Sequence, residues 1–206
     1  MHVKVKICGI TNAEDARVAV DAGADALGFM FYEPSPRSVT RKNAGAIILE
    51  LPVFVAKVGV FVNPTEDEVR RAIEECGIDT LQFHGEEPPE FCRQFGLKAL
   101  KAFRVQGPEI LKLLPDYSGM TWLLDSFVAW TRGGTGNTFN WDIAAQAIKL
   151  GGRVVLAGGL TPENAADAVR KVRPYGLDVS SGVESAPGRK DAAKVRAFIA
   201  AAKGEK

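Results

Sequence analysis

The stretch Lys6-Ile7-Cys8-Gly9-Ile10-Thr11 is a short apolar strand that ends in a cysteine and turns at once toward a helix. In a barrel of alternating strands and helices, catalytic groups sit on the rim where the strands end, so Cys8 is the first candidate for chemistry. The apolar run Trp122-Leu123-Leu124 likewise ends on an acid, Asp125. A thiol and a carboxyl at strand ends suit a base and an acid. A carboxyl in a partly apolar cleft can have its pKa raised toward neutrality, and a thiol near positive charge can have its pKa lowered from about 8.5. The bland alternative is that Asp125 caps its loop and Cys8 is buried packing.

Three glycine-rich turns follow the last three strand-like runs: Gly133-Gly134-Thr135-Gly136, Gly158-Gly159 and Ser180-Ser181-Gly182. Backbone N–H groups at such turns can cradle a phosphate, and the loops after strands seven and eight are the frequent phosphate site of barrels. Glycine is also the default residue of any tight loop, so the placement of Gly158, Gly159, Ser181 and Gly182 at those two strands carries the weight. The Gly133 to Asn137 run lacks the Lys-Ser/Thr ending of a nucleotide P-loop, which argues against ATP.

Arg37 stands on a proline-stiffened loop, Pro34-Ser35-Pro36-Arg37-Ser38, where its two-pronged guanidinium can clamp a carboxylate; the competing reading is a solvated surface arginine. His84 reads as a hydrogen-bonded structural residue ahead of a proton carrier. For Lys6, a buried charge partner competes with substrate binding, and Arg104 at the end of the fifth strand is open in the same way.

These groups need elements to position them. Strand-like runs recur at Val3 to Cys8, Ala26 to Phe31, Val53 to Val62, Thr80 to Phe83, Leu97 to Phe103, Trp122 to Asp125, Val154 to Ala157 and Leu177 to Ser180. Amphipathic segments lie between them, at Ala13 to Ala22, Glu66 to Glu75, Ile143 to Leu150 and Glu163 to Val172, with a helix-like Pro88 to Phe95 and a last helix at Asp191 to Ala202. Thr11 with Glu14 and Thr65 with Glu68 are candidate capping boxes, and Thr161-Pro162 fits N-cap then N1. Eight βα units in a chain of 206 residues predict one α/β domain spanning residues 1–206, a (β/α)8 barrel of parallel strands. A doubly wound open sheet is the rival, but Cys8-Gly9-Ile10-Thr11-Asn12 is no dinucleotide fingerprint.

Strand parity then orients the candidates. Val3, Val5 and Ile7 suit the helix layer, which turns Lys4, Lys6 and Cys8 inward; Leu81 and Phe83 do the same for Gln82 and His84. Cys8 and His84 are thus expected at one mouth. The long loops Tyr32 to Thr40 and Ser126 to Phe139 leave strand ends on that rim and suit substrate lids.

The balance of 26 basic and 25 acidic side chains gives a formal net charge of +1, with no global field for nucleic acid or an anionic membrane. Small-molecule partners are expected, with any anion bound by local groups. Val53 to Val62, the longest apolar run, is interrupted by Lys57 and far too short to span a bilayer. The alternating Met1 to Lys6 segment lacks the apolar region of a signal peptide, so a cytoplasmic protein is expected. The three cysteines, Cys8, Cys76 and Cys92, form no CxxC and have no histidine at zinc-ligand spacing, so no metal site and no disulfide is read; Cys76 and Cys92 read as packing.

Taken together, these segments resemble the phosphoribosylanthranilate isomerase family of tryptophan biosynthesis. The resemblance is carried by Lys6 to Thr11, Gly28-Phe29 with Ser35-Pro36-Arg37, Val58-Gly59-Val60-Phe61, Leu81-Gln82-Phe83-His84-Gly85, Leu123-Leu124-Asp125-Ser126, Gly133-Gly134-Thr135-Gly136, Leu156-Ala157-Gly158-Gly159-Leu160 and Asp178-Val179-Ser180-Ser181-Gly182-Val183-Glu184. It implies a (β/α)8 barrel that performs an Amadori rearrangement on a phosphorylated small molecule without metal or organic cofactor. On that resemblance Asp125 is the general acid that opens the furanose ring and Cys8 the general base at the sugar C2. Arg37 then meets the anthranilate carboxylate, and the Gly158-Gly159 and Ser181-Gly182 turns the phosphate. Lys6, His84, Gly134 and Gly136 are supporting groups. The chain departs from the family at Asn137 and Asn140, where Lys and Asp are expected.

Three other readings stay open at this point: the histidine-pathway isomerase that rearranges a different aminoaldose with two carboxylates, a noncatalytic phosphate-binding barrel, and a thiol-nucleophile enzyme. The resemblance leaves monomer and homodimer equally open.

Overall fold

The computed structural model describes residues 3–125 and 138–204. Eight strands, β1 (Lys4–Cys8), β2 (Ala26–Met30), β3 (Ala56–Phe61), β4 (Thr80–Phe83), β5 (Lys98–Arg104), β6 (Thr121–Asp125), β7 (Arg153–Ala157) and β8 (Gly176–Val179), pair in parallel in chain order and close between β8 and β1. The helices α1 (Ala13–Asp21), α2 (Arg41–Leu49), α3 (Glu66–Cys76), α4 (Pro89–Arg93), α5 (Thr138–Lys149), α6 (Pro162–Val172) and α7 (Ala192–Lys203) lie outside. This is the (β/α)8 barrel that the alternation of periods predicts.

The local chemistry explains most boundaries. Thr65 and Glu68 form the expected reciprocal box on α3: Glu68 N donates to Thr65 Oγ1 at 3.3 Å, and Thr65 N donates to Glu68 Oε2 at 2.7 Å. Thr161 caps α6 with Pro162 following it, and Thr161 N donates to Asn164 Oδ1 at 2.9 Å. The Thr11–Glu14 expectation is wrong by one residue. Asn12 is the cap of α1, accepting from Asp15 N at 2.8 Å, because the Thr11 hydroxyl is drawn away to donate to Gly188 O at 2.6 Å.

Other departures have equally local causes. β3 starts at Ala56, not Val53: Pro52 begins a turn closed by Val55 N donating to Pro52 O, which leaves Val53 and Phe54 in solvent. Between β5 and β6 the crossover is two 3₁₀ turns, Pro108–Lys112 and Leu114–Tyr117, each with a proline in its first turn. After β8 a 3₁₀ turn at Ser181–Val183 leads into a small antiparallel hairpin, β9 (Glu184–Ala186) with β10 (Arg189–Lys190), that the sequence did not announce.

Parity divides the core in two. Val5, Ile7, Leu27, Phe29, Leu81 and Phe83 join the helices in one continuous apolar layer. The barrel interior holds smaller clusters, Cys8 with Val58 and Val60, and Ala102 with Leu123, Val155 and Ala157, beside the buried polar groups Lys6, Gln82 and Asp178. Lys4 shares the parity of Lys6 but sits at the opposite end of the strand, where it is exposed and pairs with Asp25.

Candidate active site

β1 and β2 set the thiol. Cys8 lies directly opposite Gly28 in the ladder, and Gly28 O accepts both Gly9 N and Ile10 N at 2.9 Å, which pins the turn after Cys8. Gly9 makes that turn at φ +78°, open only to a residue without Cβ strain. Gly28 also supplies the room: a Cβ there would stand 2.7 Å from Cys8 Sγ and 3.1 Å from Lys6 Cε, so the thiol and the lysine lie together over the bare backbone of β2.

Beneath the thiol, Lys6 Nζ meets Asp178 Oδ1 of β8 at 2.8 Å, both side chains almost wholly buried. Burial pushes the Cys8 thiol above its ordinary value; Lys6 opposes that rise, and Asp178 adds to it. Of the two directions left open for the thiol, the structure gives the upward one, because desolvation outweighs the neighbouring cation. Lys6 itself loses stability as a cation on burial, yet the Asp178 charge and the Cys8 neighbour more than compensate, and its pKa is raised.

Across the mouth, β6 ends on Asp125. His84 Nε2 is 3.4 Å from Asp125 Oδ2, and Gln82 Nε2 is 3.2 Å from His84 Nδ1. The imidazole thus sits between the Gln82 amide and the Asp125 carboxyl, one ring nitrogen facing each. His84 is carried there by its own N–H, which extends the ladder to Phe61 O at 2.8 Å. The next turn is locked by Glu87, whose carboxylate accepts Gly85 N and Asn63 N and pairs with the buried Lys101.

Arg37 reaches the same mouth, but its fork is not empty. Nε and Nη2 donate to Glu184 Oε1 and Oε2 at 2.9 and 2.7 Å. The two-pronged edge expected for a substrate carboxylate is therefore held by an internal one. Gly158 and Gly159 both adopt positive φ, +83° and +63°, after β7. The loop after β8 comes so close that a Cβ on Gly182 would overlap Leu160 O. Gly134, Gly136 and Asn137 fall outside the described residues, as does the side chain of Asn140.

One cavity of about 280 Å³ joins these groups: Cys8, Arg37, His84 and Asp125 line it, with the Gly158-Gly159 and Ser181-Gly182 turns. Larger clefts of about 450 and 460 Å³ open at the strand-start end of β6 and β7 and outside β4 and β5. Neither brings a thiol and an acid together, so volume does not decide the site. Among the described residues no cluster of His, Cys, Asp and Glu could hold a metal ion.

The family model described as N-(5'-phosphoribosyl)anthranilate (PRA) isomerase matches residues 5–201. The chain belongs to this family. A PRA isomerase of Pelobacter propionicus is 55% identical over 201 residues, 98% of this chain and 96% of that protein. One from Geobacter sp. strain M21 is 56% identical over 200 residues, 97% of this chain and 98% of that protein. The crystal structure of the Thermotoga maritima PRA isomerase superposes with a TM-score of 0.91 at 42% identity, covering 98% and 99% of the two chains. A PRA isomerase in complex with reduced 1-(o-carboxyphenylamino)-1-deoxyribulose 5-phosphate superposes with a TM-score of 0.89 at 40% identity, again over 98% and 99%.

Of the residues singled out in sequence, Cys8, Arg37, His84, Asp125, Gly158, Gly159, Ser181 and Gly182 line this one cavity, whereas Lys6 is buried against Asp178 and Arg104 lines the separate cleft at β4 and β5. Three charged partners were missed: Asp178, Glu184 and Lys190. Asp178 was detectable, because it has inward parity in β8 and β8 must close on β1 beside Lys6. Glu184 and Lys190 stand in a hairpin without a periodic signature.

Proposed function

We propose that this protein isomerises N-(5'-phosphoribosyl)anthranilate to 1-(2-carboxyphenylamino)-1-deoxyribulose 5-phosphate, with Asp125 as acid and Cys8 as base. The Asp125 carboxyl gives its proton to the furanose ring oxygen; the bond from C1 to that oxygen breaks as the nitrogen lone pair forms an iminium. Cys8 takes the proton from C2, and the freed electron pair forms the C1–C2 double bond while the iminium electrons return to nitrogen. The enolamine then gains a proton at C1 and loses the C2 hydroxyl proton, leaving the ketone. Atoms balance, and no oxidant or cofactor takes part.

The observation that carries the reading is one cavity lined by a thiol at the end of β1, an acid at the end of β6 and two glycine turns after β7 and β8. The raised thiol pKa fits the order of events. Burial favours the neutral thiol before the iminium forms, and the iminium, a cation formed beside it, favours the thiolate at the step that needs it. Anthranilate fluorescence follows the substrate directly. Wild type is expected to consume freshly made substrate well above its spontaneous breakdown, and Cys8→Ser and Asp125→Asn to lose about 10²–10⁴-fold each. Variants as fast as wild type would leave a phosphate-binding barrel with other chemistry.

The same proposal includes a homodimer and a cytoplasmic location. Leu49, Val53 and Phe54 are 88%, 78% and 96% exposed at the strand-start end, away from the mouth, an apolar group that a second copy would cover. A relative from Thermotoga maritima is described as a dimeric enzyme from which monomers were generated. Pairing through this end leaves both mouths open. The cytoplasmic location rests on the biosynthetic role; among the described residues no helix is long and apolar enough to cross a membrane.

A further inference from the structure

One carboxylate at the mouth has no part in the proton transfers above, yet it is the most heavily partnered group there. Glu184 takes both prongs of Arg37, and its Oε1 also accepts from Lys190 Nζ at 2.9 Å. The Lys190 side chain is fully buried and donates a second time, to Ser180 O at 3.3 Å. Its backbone N–H is tied to Asp15 Oδ2 at 2.9 Å, and Asp15 in turn belongs to the cap of α1. The hairpin is thus fastened to the helix that follows Cys8. Burial works against the Glu184 charge, but the Arg37 and Lys190 hydrogen bonds outweigh it and hold the carboxyl below its ordinary value.

The consequence for Arg37 is geometric. Two of its five N–H donors are spent inward, so the guanidinium plane is fixed by a fork-to-fork pair. Its stem is fixed as well, since a Cβ on Gly9 would stand 2.8 Å from Arg37 Cδ: the aliphatic part lies against the turn directly after the thiol. Among the described residues the remaining donors pair with no other side chain.

We propose that Glu184, braced by Lys190, is a positioning residue that aims the outer edge of Arg37 at the carboxylate on the substrate's aromatic ring, and so sets that ring relative to Cys8. This rests on the isomerase reading and deepens it. A simple charge role makes the opposite prediction. Removing the Glu184 charge leaves two cations unopposed and would tighten any anion, whereas losing the aim weakens only a ligand that carries the ring carboxylate.

The test is titration with two ligands, reduced 1-(o-carboxyphenylamino)-1-deoxyribulose 5-phosphate and its phenylamino counterpart without the carboxylate. Glu184→Gln is expected to weaken the first about tenfold and leave the second within about twofold. In an Arg37→Ala background the same substitution is expected to be silent. Glu184→Asp, which keeps the charge and shortens the reach by one methylene, repeats the loss should the Gln variant not fold. Equal weakening of both ligands, tighter binding of the first, or an undiminished effect without Arg37 overturns the positioning role. Failure of the wild type to bind either ligand would instead overturn the isomerase reading itself.

Discussion

Gly28→Ala puts a single methyl group against the Cys8 thiol. The added Cβ would stand 2.7 Å from Cys8 Sγ, 3.1 Å from Cys8 Cα and 3.1 Å from Lys6 Cε. Carbon and sulfur cannot rest at 2.7 Å, so the thiol must leave its place. The neighbouring Cα is backbone and cannot follow, because the same strand pair is held by Gly28 O accepting Gly9 N and Ile10 N. Overpacking of this kind costs about 1–3 kcal/mol, which for a chain of this size lowers Tm by about 2–12 °C. A reacting atom displaced by about 1 Å can lose about 10²-fold in rate, so kcat/KM is expected to fall far more than stability alone explains. The assay is loss of anthranilate fluorescence at a temperature well below both melting points, run beside Gly45→Ala. That control methyl meets Glu75 O at 3.1 Å between α2 and α3, far from the mouth, and leaves kcat/KM unchanged. Native kcat/KM and native Tm in Gly28→Ala would refute the claim that Gly28 seats the thiol.

Three further outcomes follow from the same geometry. Because burial holds the Cys8 thiol above its ordinary value, its alkylation by iodoacetamide in the ligand-free protein, followed at Cys8 by peptide mass mapping, is expected to keep rising with pH through about pH 8; a plateau below about pH 7 contradicts this. Lys6→Met alone leaves Asp178 buried and unpaired and costs about 3–5 kcal/mol, whereas Lys6→Met with Asp178→Leu recovers most stability in a melt but little activity; activity returning together with stability would make the pair merely structural. Phe54→Asp is expected to convert a dimer to monomers in sedimentation with isomerase activity intact, and a wild type already monomeric at all concentrations would sink the interface.

The barrel was legible because the βα alternation repeats along the whole chain and its helix starts carry their own caps, as Thr65 and Thr161 do. Parity was legible too: it turns Cys8, Gln82 and His84 inward, and all three line the cavity. It gives the direction of a side chain, however, and not the neighbour it meets. Lys6 and Asp178 are 172 positions apart, and Arg37 and Glu184 are 147 apart, so the pairs exist only once the sheet has closed. Apolarity misled at Val53 and Phe54, where it marks an exposed loop rather than a strand. The thiol's pKa was beyond sequence for a related reason, since it depends on which of burial and Lys6 prevails.

The cations of the mouth share one feature that explains what the glycine turns must do. Lys6 is met by Asp178, while Arg37 and Lys190 are both met by Glu184, so β8 and the hairpin after it supply every acid that tethers them. Three cations against two acids leave little net charge to attract a ligand that carries both a phosphate and a carboxylate. Attraction by bare charge is therefore not the organising force here, in keeping with a whole-chain formal charge of only +1. What the acids provide is fixed direction: each tethered cation loses rotational freedom before the ligand arrives, which lowers the ordering cost of binding. On the proposed reading the phosphate then falls to backbone N–H groups, and the positive φ of Gly159 and the close approach of Gly182 to Leu160 O set the two glycine turns side by side.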